Sequence, residues 1–137
     1  MPSSFTPCAI TLAAIVALVP AVAQAQQIRP GQWEVTMQGM SKPLTMCITP
    51  DMAKDPSTLM QKRGAESDCK STNESKSGNT RTFNIACSKP NKYNAKVTFT
   101  THGADHFTMT QDFTTEREGK SRAGSMTMTY ERVGECK

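Results

Sequence analysis

The stretch Arg81-Thr82-Phe83-Asn84-Ile85-Ala86-Cys87-Ser88-Lys89-Pro90-Asn91-Lys92-Tyr93-Asn94-Ala95-Lys96-Val97-Thr98-Phe99-Thr100 decides the fold. Phe83, Ile85 and Cys87 fall on one side of an extended chain, and after the turn residues Ser88-Lys89-Pro90-Asn91 so do Tyr93, Ala95, Val97 and Phe99. Asn94, Lys96, Thr98 and Thr100 take the other side. A period of two marks a strand with one buried and one wet face. Proline and asparagine between two such runs are turn chemistry, and so short a link joins antiparallel neighbours.

The pattern recurs outward in both directions. Trp33, Val35 and Met37 alternate with polar residues, as do Leu44, Met46 and Ile48, then Phe107, Met109, Gln111 and Phe113, and finally Met126, Met128 and Tyr130. Threonine fills many outward positions, as suits a pleated, half-exposed surface. Turn residues separate the later runs at Ser77-Gly78-Asn79, Gly103-Ala104-Asp105 and Glu118-Gly119-Lys120. The segment from Glu66 to Lys76 is polar and reads as a strand only through its partner. One segment is different: Thr49-Pro50-Asp51 reads as an N-cap, a first-turn proline and an acid on the helix dipole. With Pro56 interrupting, one or two short helical turns are expected between Pro50 and Gln61. The fold class is therefore mainly β: a curved antiparallel meander, or half-barrel, of six to seven strands with one short helical insertion.

Of the 137 residues, the first 25 contain no Lys, Arg, Asp or Glu. An apolar run reaches Val19, Pro20 breaks it, and Ala23-Gln24-Ala25 supplies small residues for cleavage. Residues 1–25 read as a signal peptide, cut after Ala25 in preference to Ala23, and 26–137 as a single domain. The run of about 14 residues is shorter than the roughly 20 that span a bilayer, and no transmembrane segment is expected after cleavage. The chain is expected in the periplasm or secreted. All of the formal charge of +4 stays with the mature domain. Six cations (Lys70, Lys76, Arg81, Lys89, Lys92 and Lys96) are opposed in that region by Glu74 alone. They read as the solvated face and guarded edge of a sheet rather than as a polyanion site. Few aromatics and export argue against nucleic acid.

Cys8 leaves with the signal, and four cysteines remain: Cys47, Cys69, Cys87 and Cys136. They lie 22, 18 and 49 positions apart in turn, unlike the close pairs of a zinc site. Four cysteines allow three pairings. A three-residue loop at Ser77-Gly78-Asn79 sets Lys76 against Thr80 and, counting outward, Cys69 against Cys87. Opposed residues of an antiparallel pair lie within disulfide reach. Cys47 then pairs with Cys136, by an outer-face route or a bulge, since Cys47 is on the threonine side of its strand.

Pro30-Gly31-Gln32-Trp33-Glu34, Cys47-Ile48-Thr49-Pro50, Asp68-Cys69, Cys87 and Gly134-Glu135-Cys136, in that order, resemble a family of small exported bacterial proteins catalogued as domain of unknown function 3617. The resemblance covers essentially the whole mature chain. It implies a periplasmic or secreted Gram-negative protein with a mostly antiparallel β domain, and carries no catalytic residues with it.

No nucleophile elbow, zincin helix or phosphate-binding glycine loop is present, so no enzyme activity, catalytic residue or cofactor is expected. An open curved sheet leaves a concave apolar face, here Trp33, Met37, Phe99, Phe107, Met109, Met128 and Tyr130. A small apolar or lipid ligand could lie on it; in a domain this small the stronger reading is that these side chains pack on the helix and on each other. A soft-metal alternative uses His102, His106, Met126 and Met128 for Cu(I), against the commoner reading of methionines as core filler. The expectation is a non-enzymatic binding or envelope interaction protein, with a small apolar ligand or an envelope protein as partner.

Overall fold

A computed structural model describes residues 27–61 and 68–137. The expected signal peptide, residues 1–25, and the start of the Glu66–Lys76 segment lie outside the described residues. The elements run β1 (Gly31–Met37), β2 (Leu44–Ile48), α1 (Pro50–Lys54), α2 (Thr58–Gln61), β3 (Lys70–Ser77), β4 (Thr80–Cys87), β5 (Lys92–Thr101), β6 (His106–Arg117) and β7 (Lys120–Gly134). The strands form one antiparallel sheet in the order β2-β1-β7-β6-β5-β4-β3. Strands β3 to β7 are the expected meander. Strand β1 joins it by pairing with β7, and β2 closes that side as an edge.

Since β2 and β3 are opposite edges, the segment between them has to cross the whole sheet. Its described part, α1 and α2, lies over the inner face. Thr49 caps α1, its Oγ1 accepting from the Met52 amide at 3.4 Å, with Pro50 and Asp51 in the first turn. Asp55 then turns the chain: its carboxylate accepts from the Ser57 amide and hydroxyl at 3.1 and 2.7 Å. Ala53 and Met60 are thereby buried among Ile28, Trp33, Ile48, Phe83, Ile85, Val97, Phe99, Phe107 and Met109. The Gln111 side-chain amide, fully buried, donates towards the Met60 sulfur at 3.4 Å and accepts from the Tyr93 hydroxyl at 2.8 Å.

The outer face is ruled by threonine. Thr80, Thr100, Thr108, Thr129 and Thr36 lie opposite one another in turn across five strands. Hydroxyl contacts link Thr80 to Thr100 at 3.4 Å and Thr110 to Thr127 at 3.0 Å, the cross-strand pairing by which a wet face adds to sheet stability.

The β3–β4 hairpin departs from the sequence reading twice. The turn has two residues, Gly78 and Asn79, so Ser77 and not Lys76 faces Thr80's neighbourhood, pairing with Thr80 directly. The shift is recovered between Thr72 and Ser75, where Asn73 and Glu74 together oppose Phe83, with Asn73 at φ 52°. This is a β-bulge. Past it Lys70 pairs with Ala86, so Cys69 falls opposite Cys87 and is bonded to it, with 4.1 Å between the Cα atoms. Two one-residue departures cancel. The β6–β7 turn is likewise shorter than expected: Glu118 and Gly119 make it, both at positive φ, and Lys120 already pairs with Arg117. That is the turn geometry whose twist suits a two-residue hairpin.

Cys47 bonds Cys136 with a Cα separation of 5.4 Å. Both residues are exposed, so the bridge takes the outer-face route. Each disulfide thus ties an edge strand to a part of the sheet further in.

Candidate functional site

The seven residues expected to line an apolar face lie mostly inside the packed core. Trp33, Phe99, Phe107, Met109, Met128 and Tyr130 are buried, and Met37 is half-buried against them. Phe107 is the hub: its ring centroid is 5.1 Å from that of Trp33, 4.6 Å from Phe99 and 4.2 Å from Tyr130. Such a set, pressed from below by Met60 and Ala53, behaves as close-packed interior.

The metal alternative is separated by the sheet itself. Met128 pairs with Met109 and Met126 with Gln111, placing both on the inner face. His106 pairs with Glu131, on the outer face with Thr108 and Thr129. His102 joins His106 there, ring to ring at 5.0 Å, its Nε2 3.1 Å from the Thr108 hydroxyl. No single ion can take the two imidazoles and the two thioethers together. Among the described residues, no three His, Cys, Asp or Glu side chains gather as a metal set.

The segment entering β1 is locked by contacts that spacing does not reveal. The Arg29 amide donates to the Ala104 carbonyl at 2.8 Å, and the Arg29 guanidinium pairs with Asp105. That hydrogen-bonded cation holds the Asp105 carboxyl below its ordinary range. The Trp33 indole donates to the Arg29 carbonyl at 3.1 Å, and Arg132 Nε donates to the Pro30 carbonyl at 2.8 Å. Gly31 is the residue that admits Arg132. A Cβ there would lie 2.4 Å from the Gly134 carbonyl oxygen and 2.6 Å from Arg132 Nε, and its φ is 145°. The Pro-Gly-Gln-Trp sequence is therefore a clasp on the end of β7.

Asp68 has a parallel role beside the other disulfide. Its carboxylate accepts from the Ser88 hydroxyl and from the amides of Ser88 and Lys89 at 2.7 and 2.8 Å. These bonds, the Ser88 hydroxyl foremost, lower its pKa to about 2. The acid before Cys69 thus fixes the loop after Cys87.

The two edges differ in kind. Strand β3 carries exposed Lys70 and Lys76 and its bulge, and Glu74 pairs with Arg81. That is how exposed edges are blunted. Strand β2, Leu-Thr-Met-Cys-Ile, has no charge and an unbroken register against β1. Leu44, expected to point into the core, is 55% exposed on the edge strand β2. Half-buried Met37 and Met46 flank it.

Both disulfides belong to an oxidising, extracytoplasmic environment. Among the described residues no helix is long and apolar enough to cross a membrane. The family model described as protein of unknown function (DUF3617) matches residues 28–136. No curated protein and no solved structure matches the chain.

Proposed function

The chain belongs to the DUF3617 family, and from that premise we propose that it is a non-enzymatic interaction protein of the cell envelope, delivered by the signal peptide to the periplasm or beyond. The β2 edge is its contact surface. An extended segment of an envelope partner, uncharged and apolar at alternate positions, adds there as an eighth strand. The contrast between the two edges carries this reading: one has a bulge and cations against pairing, while the other has a regular, uncharged strand. In strand addition the backbone bonds supply affinity and alternate side chains supply selectivity. Leu44, Met37 and Met46 offer the adaptable surface that methionine-rich sites use.

Photo-crosslinking in the envelope tests it. A photoreactive side chain at Thr45, on the open edge, is expected to give one discrete adduct whose crosslinked peptide is an uncharged alternating segment. The same probe at Ser75, on the guarded edge, is expected to give none. An adduct mapping to a second copy of this chain or to a charged surface, equal labelling from both positions, or none from Thr45 refutes the reading.

A further inference from the structure

A cavity of about 290 Å³ lies between α1 and the β3–β4 turn, at the far side of the sheet from β2. Its lining is mixed: Ile28 from the segment before β1, Ala53 from α1 and Phe99 from β5 supply apolar atoms, and Gln27, Asn79, Thr80 and Thr101 polar ones. Lys54, Lys76 and Arg81 also line it, and among the described residues no acidic side chain does. Arg81 is fixed in place by Glu74 and, at 3.7 Å, by Asp55. Lys54 and Lys76 are exposed and have no ion-pair partner among the described residues. Two unpaired cations, with ion-paired Arg81 between polar and apolar lining groups, form a site with two chemistries. One end favours negative charge and the other removes hydrocarbon from water.

We propose that this cavity binds a small amphipathic anion, its headgroup between Lys54 and Lys76 and its tail against Ile28, Ala53 and Phe99. Small-ligand pockets hold about 300–1,000 Å³, so the volume suits a short chain and not a two-tailed lipid buried whole. Two sources share this chemistry: a free short-chain carboxylate, and a single-chain lipid bearing a phosphate. The cations attract either one, and the apolar atoms of Ile28, Ala53 and Phe99 favour a probe with a hydrocarbon tail over an inorganic ion that has nothing to bury. Because Lys54 and Lys76 are solvated, added salt weakens binding. The site stands independently of the β2 edge, with which it shares no residue.

Calorimetric titration of the oxidised, exported protein provides the test, with octanoate and octyl phosphate as probes and acetate and octanol as controls. Saturable, one-to-one uptake of octanoate or octyl phosphate is expected, the tighter of the two naming the headgroup. Acetate and octanol should bind at least tenfold more weakly. In the Lys54→Gln/Lys76→Gln double variant, whose changes are on exposed side chains outside the core, the better probe should lose at least tenfold in affinity while the thermal midpoint stays unchanged. Amide NMR shifts induced by that probe should centre on Ile28 and Phe99. No saturable binding of either probe, affinity unaltered in the double variant, or shifts centred elsewhere would overturn the assignment.

Discussion

Replacing Gly31 by alanine probes the clasp at the start of β1 more directly than any other change. Two costs coincide there. The φ of 145° is one that side chains rarely adopt, and strain of that kind costs about 1–3 kcal/mol. The added methyl would also fall 2.4 Å from the Gly134 carbonyl oxygen, a backbone atom that cannot swing aside. Arg132 cannot easily retreat either, since it bonds the Pro30 carbonyl and pairs with Glu135. Crowding of this kind costs about another 1–3 kcal/mol. The sum centres on about 4 kcal/mol, a large share of the roughly 5–15 kcal/mol that stabilises a domain. Two other glycines separate the contributions. Gly39 has φ 88° with nothing within 4 Å of its missing Cβ, so Gly39→Ala carries strain alone, about 1–2 kcal/mol. At Gly124 no unusual φ is involved, but the methyl would meet the Phe113 ring tip at 2.8 Å, so Gly124→Ala carries crowding alone. Urea unfolding of the oxidised proteins, with unchanged slope, should rank Gly31→Ala as the most destabilised. Its thermal midpoint should fall on the order of 15 °C. A loss under about 1 kcal/mol at Gly31, or an equal loss at Gly39, would refute the account of why glycine stands there.

Other outcomes follow from the same geometry. Cys69→Ser/Cys87→Ser opens a loop of 18 residues and should cost roughly 3 kcal/mol; Cys47→Ser/Cys136→Ser opens one of 89 and should cost roughly 4.5 kcal/mol. Chemical unfolding of each pair variant checks both the size and the order. The Asp68 carboxyl is lowered to about 2 in the folded protein, so its contribution is present above the unfolded value near 3.8 and disappears as pH falls through about 2. Asp68→Asn should therefore lower the thermal midpoint at neutral pH and flatten its decline between about pH 4 and pH 2; an unaltered acid profile counts against the Ser88 and Lys89 bonds. Edman sequencing of envelope-derived protein should begin at Gln26, and a chain that still begins at Met1 would contradict processing.

Strand existence was legible because alternation is a local signal, carried by each run without reference to any other. Thr49-Pro50-Asp51 announced α1 for the same reason, since a cap involves only three adjacent residues. The Cys69–Cys87 bridge could be counted from one hairpin, and it survived because the short turn and the bulge at Asn73-Glu74 shift the register in opposite senses. Asp68, Gly31 and Arg132 were not legible in role. Each acts on a partner that is 20 or more positions away, and no period or spacing encodes such a contact.

From the amino-acid order alone come the mainly β class, the places where the chain turns and the helical insertion, all fixed by neighbours along the chain. The Cys69–Cys87 pairing comes from it too, counted across one hairpin, which leaves Cys47 to Cys136. Tertiary structure alone placed β1 against β7, which makes β2 an edge and leaves Leu44 in water. It alone set the histidines and methionines on opposite faces and gathered Lys54, Lys76 and Arg81 over Ile28 and Phe99. The physical reason is range. A strand's period is a property of its own backbone, whereas an edge, a face or a cavity exists only after distant segments have buried their apolar sides together.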